Sequence, residues 1–294
     1  MAAPLEAREM RPAPTRPAMT YWRVTPARLL LHAFLLGTSI LVVLPLLWAV
    51  LTSFKQPQDI ITQAPTFLPT AWTLENYSKL PRVAPFFRFF VNSIIVSAVS
   101  TLFIAVSCTA AGYIFAKYEF RFKKVLFFTI IATILIPLQT YIVPLYLTIR
   151  ALGWVNTYAG LIYPTIIMSS GIFFMRQNIV GIPDELIDAA RVDGSSEFAI
   201  LWKIIFPLST APVAAICIIN WVFTWSLFIW PLVVANSAQM FTMELGLMYF
   251  MKEFIVDYGG IMAATVLTIL PVLIVFLVFR TRIIEGVATT GMKA

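Results

Sequence analysis

Apolar residues gather into uncharged runs at 29–51, 89–116, 125–149, 151–175, 204–235 and 258–279, and the stretches between them hold nearly all the charge. A hydrocarbon layer about 30 Å thick is crossed by roughly 20 helical residues. Each run is therefore long enough to span, the fourth over about 158–175. In lipid the backbone must satisfy its own hydrogen bonds, which leaves helices or closed barrels. The runs lack the two-residue alternation of barrel strands, so helices are predicted. The fold class is all-α: a polytopic membrane protein with six transmembrane helices. Pro137, Pro144, Pro164, Pro207, Pro212 and Pro231 interrupt the third to fifth runs. Each removes a backbone donor and bends its helix, so these spans are expected to be kinked.

Composition agrees with the pattern: of 294 residues 60% are hydrophobic and 12% charged, against roughly 25% charged in an average soluble domain. The distribution of the basic residues gives an orientation, because Lys and Arg are retained on the cytoplasmic side. With the N-terminus inside, the inner segments hold Arg8, Arg11, Arg16, Arg23, Arg28, Lys117, Arg121, Lys123, Lys124, Arg176, Arg191, Lys203, Arg280, Arg282 and Lys293, fifteen of the 21 basic residues. Both termini are then cytoplasmic. The net charge of +7 becomes a topology signal, and no nucleic-acid partner is inferred from it. The segments read as a disordered tail over 1–28, a transmembrane domain over 29–283 with a cytoplasmic loop at 176–203, and a C-terminal tail over 284–294. The outer segment at 55–88 is long and aromatic, the kind of loop that carries function.

Candidate chemistry is sparse. Cys108 and Cys217 lie in mid-run, away from outer loops where oxidation would bridge them, and read as packing residues. His32 sits at the start of the first run, an interfacial position. No nucleophile with a base and no metal constellation suggests an enzyme. No acid, base or His lies deep in a span to couple ions, which weighs against the alternative reading, a stand-alone secondary transporter or channel. There is no G-x-x-x-x-G-K-[ST] loop for ATP phosphates; the chain is read as binding no cofactor and not as an enzyme.

The 176–203 loop is the informative one. From Pro183 it reads Pro-Asp-Glu-Leu-Ile-Asp-Ala-Ala-Arg-Val-Asp-Gly. Proline suits a helix start, Asp184 and Glu185 suit the positive end of the helix dipole, and Gly194 suits a left-handed stop. A helix over about 183–193 is predicted. Leu186, Ala189, Ala190 and Asp193 share one face at i, i+3, i+4, i+7, where small residues admit a close partner. Glu185, Asp188 and Arg191 lie beside it. A soluble partner could hold such a helix in a groove.

Residues 185–194, followed by Phe206-Pro207-Leu208, resemble the EAA motif of bacterial ABC importer permeases, in the carbohydrate-uptake, maltose-permease-like branch and its shorter six-span partner. Further stretches resemble that branch: 111–117, Ile136-Pro137 with Pro144-Leu145-Tyr146, 152–164, Trp230-Pro231-Leu232, and the tail glycines. Asp188 stands where the family usually has Glu, and Ser226 where it usually has Asn. The resemblance implies an ABC type I importer permease fold in the bacterial cytoplasmic membrane and a permease pair, homodimeric or heterodimeric. It also implies two cytoplasmic ATPase subunits carrying ATP and Mg, and an extracytoplasmic solute-binding protein. Glu185, Leu186, Asp188, Ala189, Ala190, Arg191, Asp193 and Gly194 would couple to the ATPase, and Gly286, Gly291 and Lys293 would reach it from the tail. A sugar path is read in Gln139 and Tyr141 of the third run and in Asn220, Trp221, Thr224, Trp225 and Ser226 of the fifth, since amides, hydroxyls and aromatic faces hold sugars.

Overall fold

The computed structural model describes residues 25–62, 66–251 and 256–291, with side chains through Phe279. Most of the tail predicted over 1–28 lies outside these residues. The chain divides into two compact units, Met1–Trp48 and Ala49–Ala294. In the first, the described part is the helix Pro26–Ser53 up to Trp48. Its leucines are exposed, and the His32 Nδ1 donates to the Arg28 carbonyl at 2.6 Å, a local interfacial contact.

The described elements of the second unit are all helical, apart from an isolated bridge between Met251 and Val256. Among the described residues, three helices are long and apolar enough to cross a membrane, Pro26–Ser53, Phe86–Lys117 and Tyr258–Phe279, and the number rises to as many as six if each of three bent pairs counts as one span. The pairs are Lys123–Leu135 with Leu138–Ala151 at 106°, Tyr158–Thr165 with Ser169–Val180 at 47°, and Glu197–Leu208 with Thr210–Trp225 at 82°. Proline explains where the first and third break. Pro137 separates the two arms of the first pair, and Pro207 lies just before the break at Ser209. A proline has no N–H to continue the ladder and disfavours helix in the residue before it. Pro144 and Pro212 sit inside helices.

The fifth run, expected to be one span over 204–235, is corrected. Its helix Thr210–Trp225 ends at Ser226 and a separate short helix, Ile229–Val234, follows. Pro231 lacks the N–H that a continuing helix would offer to the carbonyl of residue 227. The last helix runs beyond the sequence estimate of 279, as Tyr258–Gly291.

The helix Phe86–Lys117 is the hub. It packs on Ser169–Val180 and on Thr210–Trp225, which in turn packs on Tyr258–Gly291. In lipid, helices associate through close packing of small residues rather than through hydrophobic drive. The crossing with Ser169–Val180 shows it: a Cβ on Gly112 would stand 2.7 Å from the Met175 Cβ, and one on Gly171 would stand 2.8 Å from the Cys108 Sγ. Cys108 is thus a packing residue. Ser93, Ser97 and Ser100 are buried along the same helix; Ser93 Oγ accepts from the Met243 N–H at 2.8 Å and Ser100 bonds Thr165.

Candidate functional site

The loop between the fourth and fifth segments folds as predicted into a short helix, Asp184–Val192. Pro183 precedes it in extended geometry, so the proline is a cap position and not the first helical residue. Asp184 and Glu185 occupy the first turn and Arg191 the last, matching the dipole. Gly194 has φ +79°, and the helix closes with Ser195 N–H to Ala190 O at 2.9 Å and Gly194 N–H to Arg191 O at 3.0 Å. This is a Schellman stop, which needs the left-handed residue that glycine supplies.

Which side of the helix faces in differs from the sequence reading. Ile187 and Ala190 are buried and join the cluster formed by Tyr113, Met175, Ile179, Ile200 and Ile205. Burying an isoleucine stabilises by about 1.5–3 kcal/mol, enough to seat a two-turn helix. Leu186, Ala189 and Asp193 stay exposed, with Glu185, Asp188 and Val192, the last 88% exposed. Ala190 therefore leaves the outward face to which its spacing assigned it.

Two sets of polar links fix the helix ends. Lys117, the last residue of Phe86–Lys117, bonds Asp184 Oδ1 at 2.6 Å and the Ile182 carbonyl. At the other end Arg191 bonds Asp188 Oδ1 at 3.1 Å and Glu197 Oε1 at 2.8 Å. Glu197 Oε2 also accepts from Tyr113 OH at 2.9 Å and from Tyr118 OH, and the Arg191 guanidinium lies 5.7 Å from the centre of the Tyr118 ring. Glu197 begins the next helix, Glu197–Ile200, whose first turn is capped by Ser196. It lies in the loop ahead of the fifth span. The Arg191 bond, then that of Tyr118, holds its carboxyl down to about 2. The node joins the loop helix, the end of the second span and the entry to the fifth. Sequence reasoning named Arg191 but missed Glu197 and Tyr118 as its partners, Tyr113 as a further donor to Glu197, and Lys117 as the partner of Asp184.

The two groups read as a sugar path differ in their surroundings. Gln139 and Tyr141 are exposed just past the break at Pro137. Tyr141 lines a cleft of about 430 Å³ with Thr133, Ile136, Ile167, Ser169 and Ser170; Thr133 Oγ1 and Ser169 Oγ lie 2.7 Å apart. These hydroxyls flank the two helix breaks, a signal the sequence carried unused. In the fifth segment Asn220, Thr224 and Trp225 are buried. Asn220 Nδ2 donates to Thr101 Oγ1 at 3.3 Å, and Trp225 Nε1 to the Thr268 carbonyl at 3.0 Å. They tie helices together, while Trp221 stacks on Trp225 with ring centres 6.1 Å apart and Ser226 is exposed at the helix end. Gly286 and Gly291 lie in the final turns of Tyr258–Gly291; Lys293 lies outside the described residues.

Residues 108–288 match the family described as binding-protein-dependent transport system inner membrane component. The arabinooligosaccharides transport system permease protein AraQ of Halalkalibacterium halodurans is 33% identical over 258 residues, 87% of this chain and 92% of that one. The diacetylchitobiose uptake system permease protein NgcG of Streptomyces coelicolor is 28% identical, covering 87% and 86%. The sn-glycerol-3-phosphate transport system permease protein UgpE of Agrobacterium fabrum is 29% identical, covering 90% and 97%. In fold, the chain is similar to a solved bacterial ABC transporter involved in the import of the acidic polysaccharide alginate, with a TM-score of 0.78 over 89% of this chain and 98% of that one at 22% identity. With the helix breaks, the loop helix and the motif in agreement, the chain belongs to the binding-protein-dependent transport system inner membrane component family, among the permeases of the carbohydrate-uptake branch of ABC importers.

Proposed function

We propose that this permease moves a sugar or related polyhydroxylated solute across the cytoplasmic membrane, driven by ATPase subunits that dock on the outward side of the helix Asp184–Val192. One observation carries the reading: the helix is anchored on one side by Ile187 and Ala190 and presents Leu186, Ala189 and Val192 uncovered on the other. That is an exposed apolar patch interspersed with Glu185 and Asp193, a face that a groove could hold. A push on it would pass through Arg191 to Glu197, and so to the fifth span, and through Lys117 to the second.

The remaining assignments follow from this one. A second permease copy or homologue would complete the pore, and an extracytoplasmic binding protein would deliver the solute to the opposite face. ATP and Mg would stay on the ATPase subunits. Both termini would be cytoplasmic, with Gly286, Gly291 and Lys293 near the ATPase pair. The relatives' names join arabinooligosaccharides, diacetylchitobiose and glycerol phosphate; hydroxyl-rich solutes are common to all, and the cleft with Tyr141, Thr133 and Ser169 offers matching hydroxyls.

The test is Ala189→Trp in the assembled transporter. It should abolish ATPase co-purification and solute uptake while the permease still inserts. A bulky residue at Ala190 would instead test packing, because that side chain is buried. Undiminished solute-stimulated ATP hydrolysis in the Ala189→Trp transporter would refute the docking assignment. Uptake by the purified chain without any ATPase would favour the stand-alone transporter instead.

A further inference from the structure

A cavity of about 570 Å³ lies beside the turn that joins the second and third segments, and its lining includes no residue of the loop helix. Its cations are Lys123, Lys124 and Arg176, and its apolar walls include Phe120, Phe127 and Phe128. The one acid on the rim, Glu119, is committed to Lys123 at 2.8 Å. Arg176 is held by its own geometry: Nε donates to the Phe115 carbonyl at 3.0 Å and the guanidinium lies 4.6 Å from the centre of the Phe127 ring. Among the described residues, nothing hydrogen-bonds its two terminal nitrogens. Arg121 stands next in the turn, 4.8 Å from the Phe122 ring.

The floor of the cavity adds to the positive field. The helix Lys123–Ala132 begins there with no side chain capping its first turn, and its first residues, Lys123, Lys124 and Val125, line the cavity, so the positive end of its dipole lies at this wall. Just beyond, Val125, Leu126 and Phe128 are exposed on a segment whose hydropathy suits lipid. Cations at the water boundary with exposed aromatic and aliphatic side chains directly below match a ligand that has an anionic head and acyl tails. Basic pockets between membrane helices hold such headgroups.

We propose that this cavity binds the phosphodiester headgroup of an anionic phospholipid, with the acyl chains lying along Val125 and Phe128. Lys124 and Arg176 contact the phosphate, and Lys123 remains shared with Glu119. The site does not depend on the ATPase contact or on the solute, since it needs only the membrane boundary at this turn. A free phosphate would satisfy the same cations, but it would leave the apolar wall uncovered.

The experiment is native mass spectrometry of the full chain in detergent, with phosphatidylglycerol and phosphatidylcholine supplied in competition. The unmodified chain should retain phosphatidylglycerol by roughly tenfold over phosphatidylcholine, and Lys123→Gln with Lys124→Gln should weaken that retention by roughly tenfold. Lys123→Arg with Lys124→Arg should restore it. Arg150→Gln, on the far side of the third segment, should leave it unchanged. Equal retention of the two lipids by the unmodified chain overturns the proposal whatever the variants do. Displacement of phosphatidylglycerol by millimolar inorganic phosphate would assign the cations to a soluble anion and overturn the lipid reading.

Discussion

At the end of the helices opposite the loop helix, neutral amides clamp backbone, and two of them, Asn76 and Asn92, are themselves buried. Asn92 Nδ2 donates to the carbonyls of Gln239 and Phe241, both at 2.8 Å, and its Oδ1 accepts from Tyr158 OH at 2.6 Å. Asn76 Nδ2 donates to Ser53 O at 2.9 Å and Lys55 O at 2.8 Å, and Asn156 Oδ1 accepts from the N–H groups of Asn236 and Ser237 at 3.0 and 3.1 Å. At the loop-helix end the links are ion pairs with exposed members, Asp184, Asp188, Arg191 and Glu197. The difference is energetic. A buried polar group left without its partner costs about 1–3 kcal/mol, whereas an exposed ion pair is worth about 0–1 kcal/mol. One end is therefore locked and the other is free to be rearranged by a partner.

The sharpest way to break this contrast is Asn92→Leu, which takes its donor from the Phe241 carbonyl and its acceptor from the Tyr158 hydroxyl, and leaves the Gln239 carbonyl with Arg88 Nε. It should destabilise by about 3 kcal/mol, read as a lowered thermal midpoint in detergent. Gly194→Val comes next, because a branched side chain at φ +79° costs about 1–2 kcal/mol. Its effect should appear as lost ATPase coupling with insertion intact. Glu197→Gln should change the thermal midpoint less than either, yet slow uptake by loosening the Arg191 link to the fifth span. A stability loss from Glu197→Gln larger than that from Asn92→Leu would reverse the comparison.

Acidity addresses the same node. The folded carboxyl of Glu197 sits at about 2, below its ordinary value of 4.5, so its contribution is complete above the ordinary value and is lost as pH falls toward 2. Uptake measured from pH 6 to 8 should show no titration from this residue. The smallest expected effect is that of Asp188→Glu. The exposed pair with Arg191 survives one added methylene, and a stability change within about 0.5 kcal/mol is expected, measured in the same thermal assay.

Helix number and rough placement could be read from the runs because lipid permits so few backbone solutions. The break at Pro137 was visible for a similar reason. What could not be read was direction and distance. Leu186, Ala189, Ala190 and Asp193 share a stripe, but spacing alone does not say where the inward side begins; Ile187, three residues before Ala190, was the available clue. The Arg191–Glu197 bond required the turn angle set by Gly194, and the Asn92 clamp joins residues 147 and 149 positions apart. In the fifth run, buried amides and indoles serve helix packing as readily as ligands, so spacing could not show that Asn220 meets Thr101 and Trp225 meets the Thr268 carbonyl.

The crossing at Gly112 and Met175 has a mechanical consequence. With no room for a methyl group between the two helices, they cannot be pressed closer, and prying them apart would forfeit the closest packing between them. Rolling about that contact would keep it intact. Under the proposed docking the crossing would serve as a fulcrum: a small stroke delivered at Lys117, a turn and a half away along the same helix, would emerge beyond the pivot as a swing in the opposite sense.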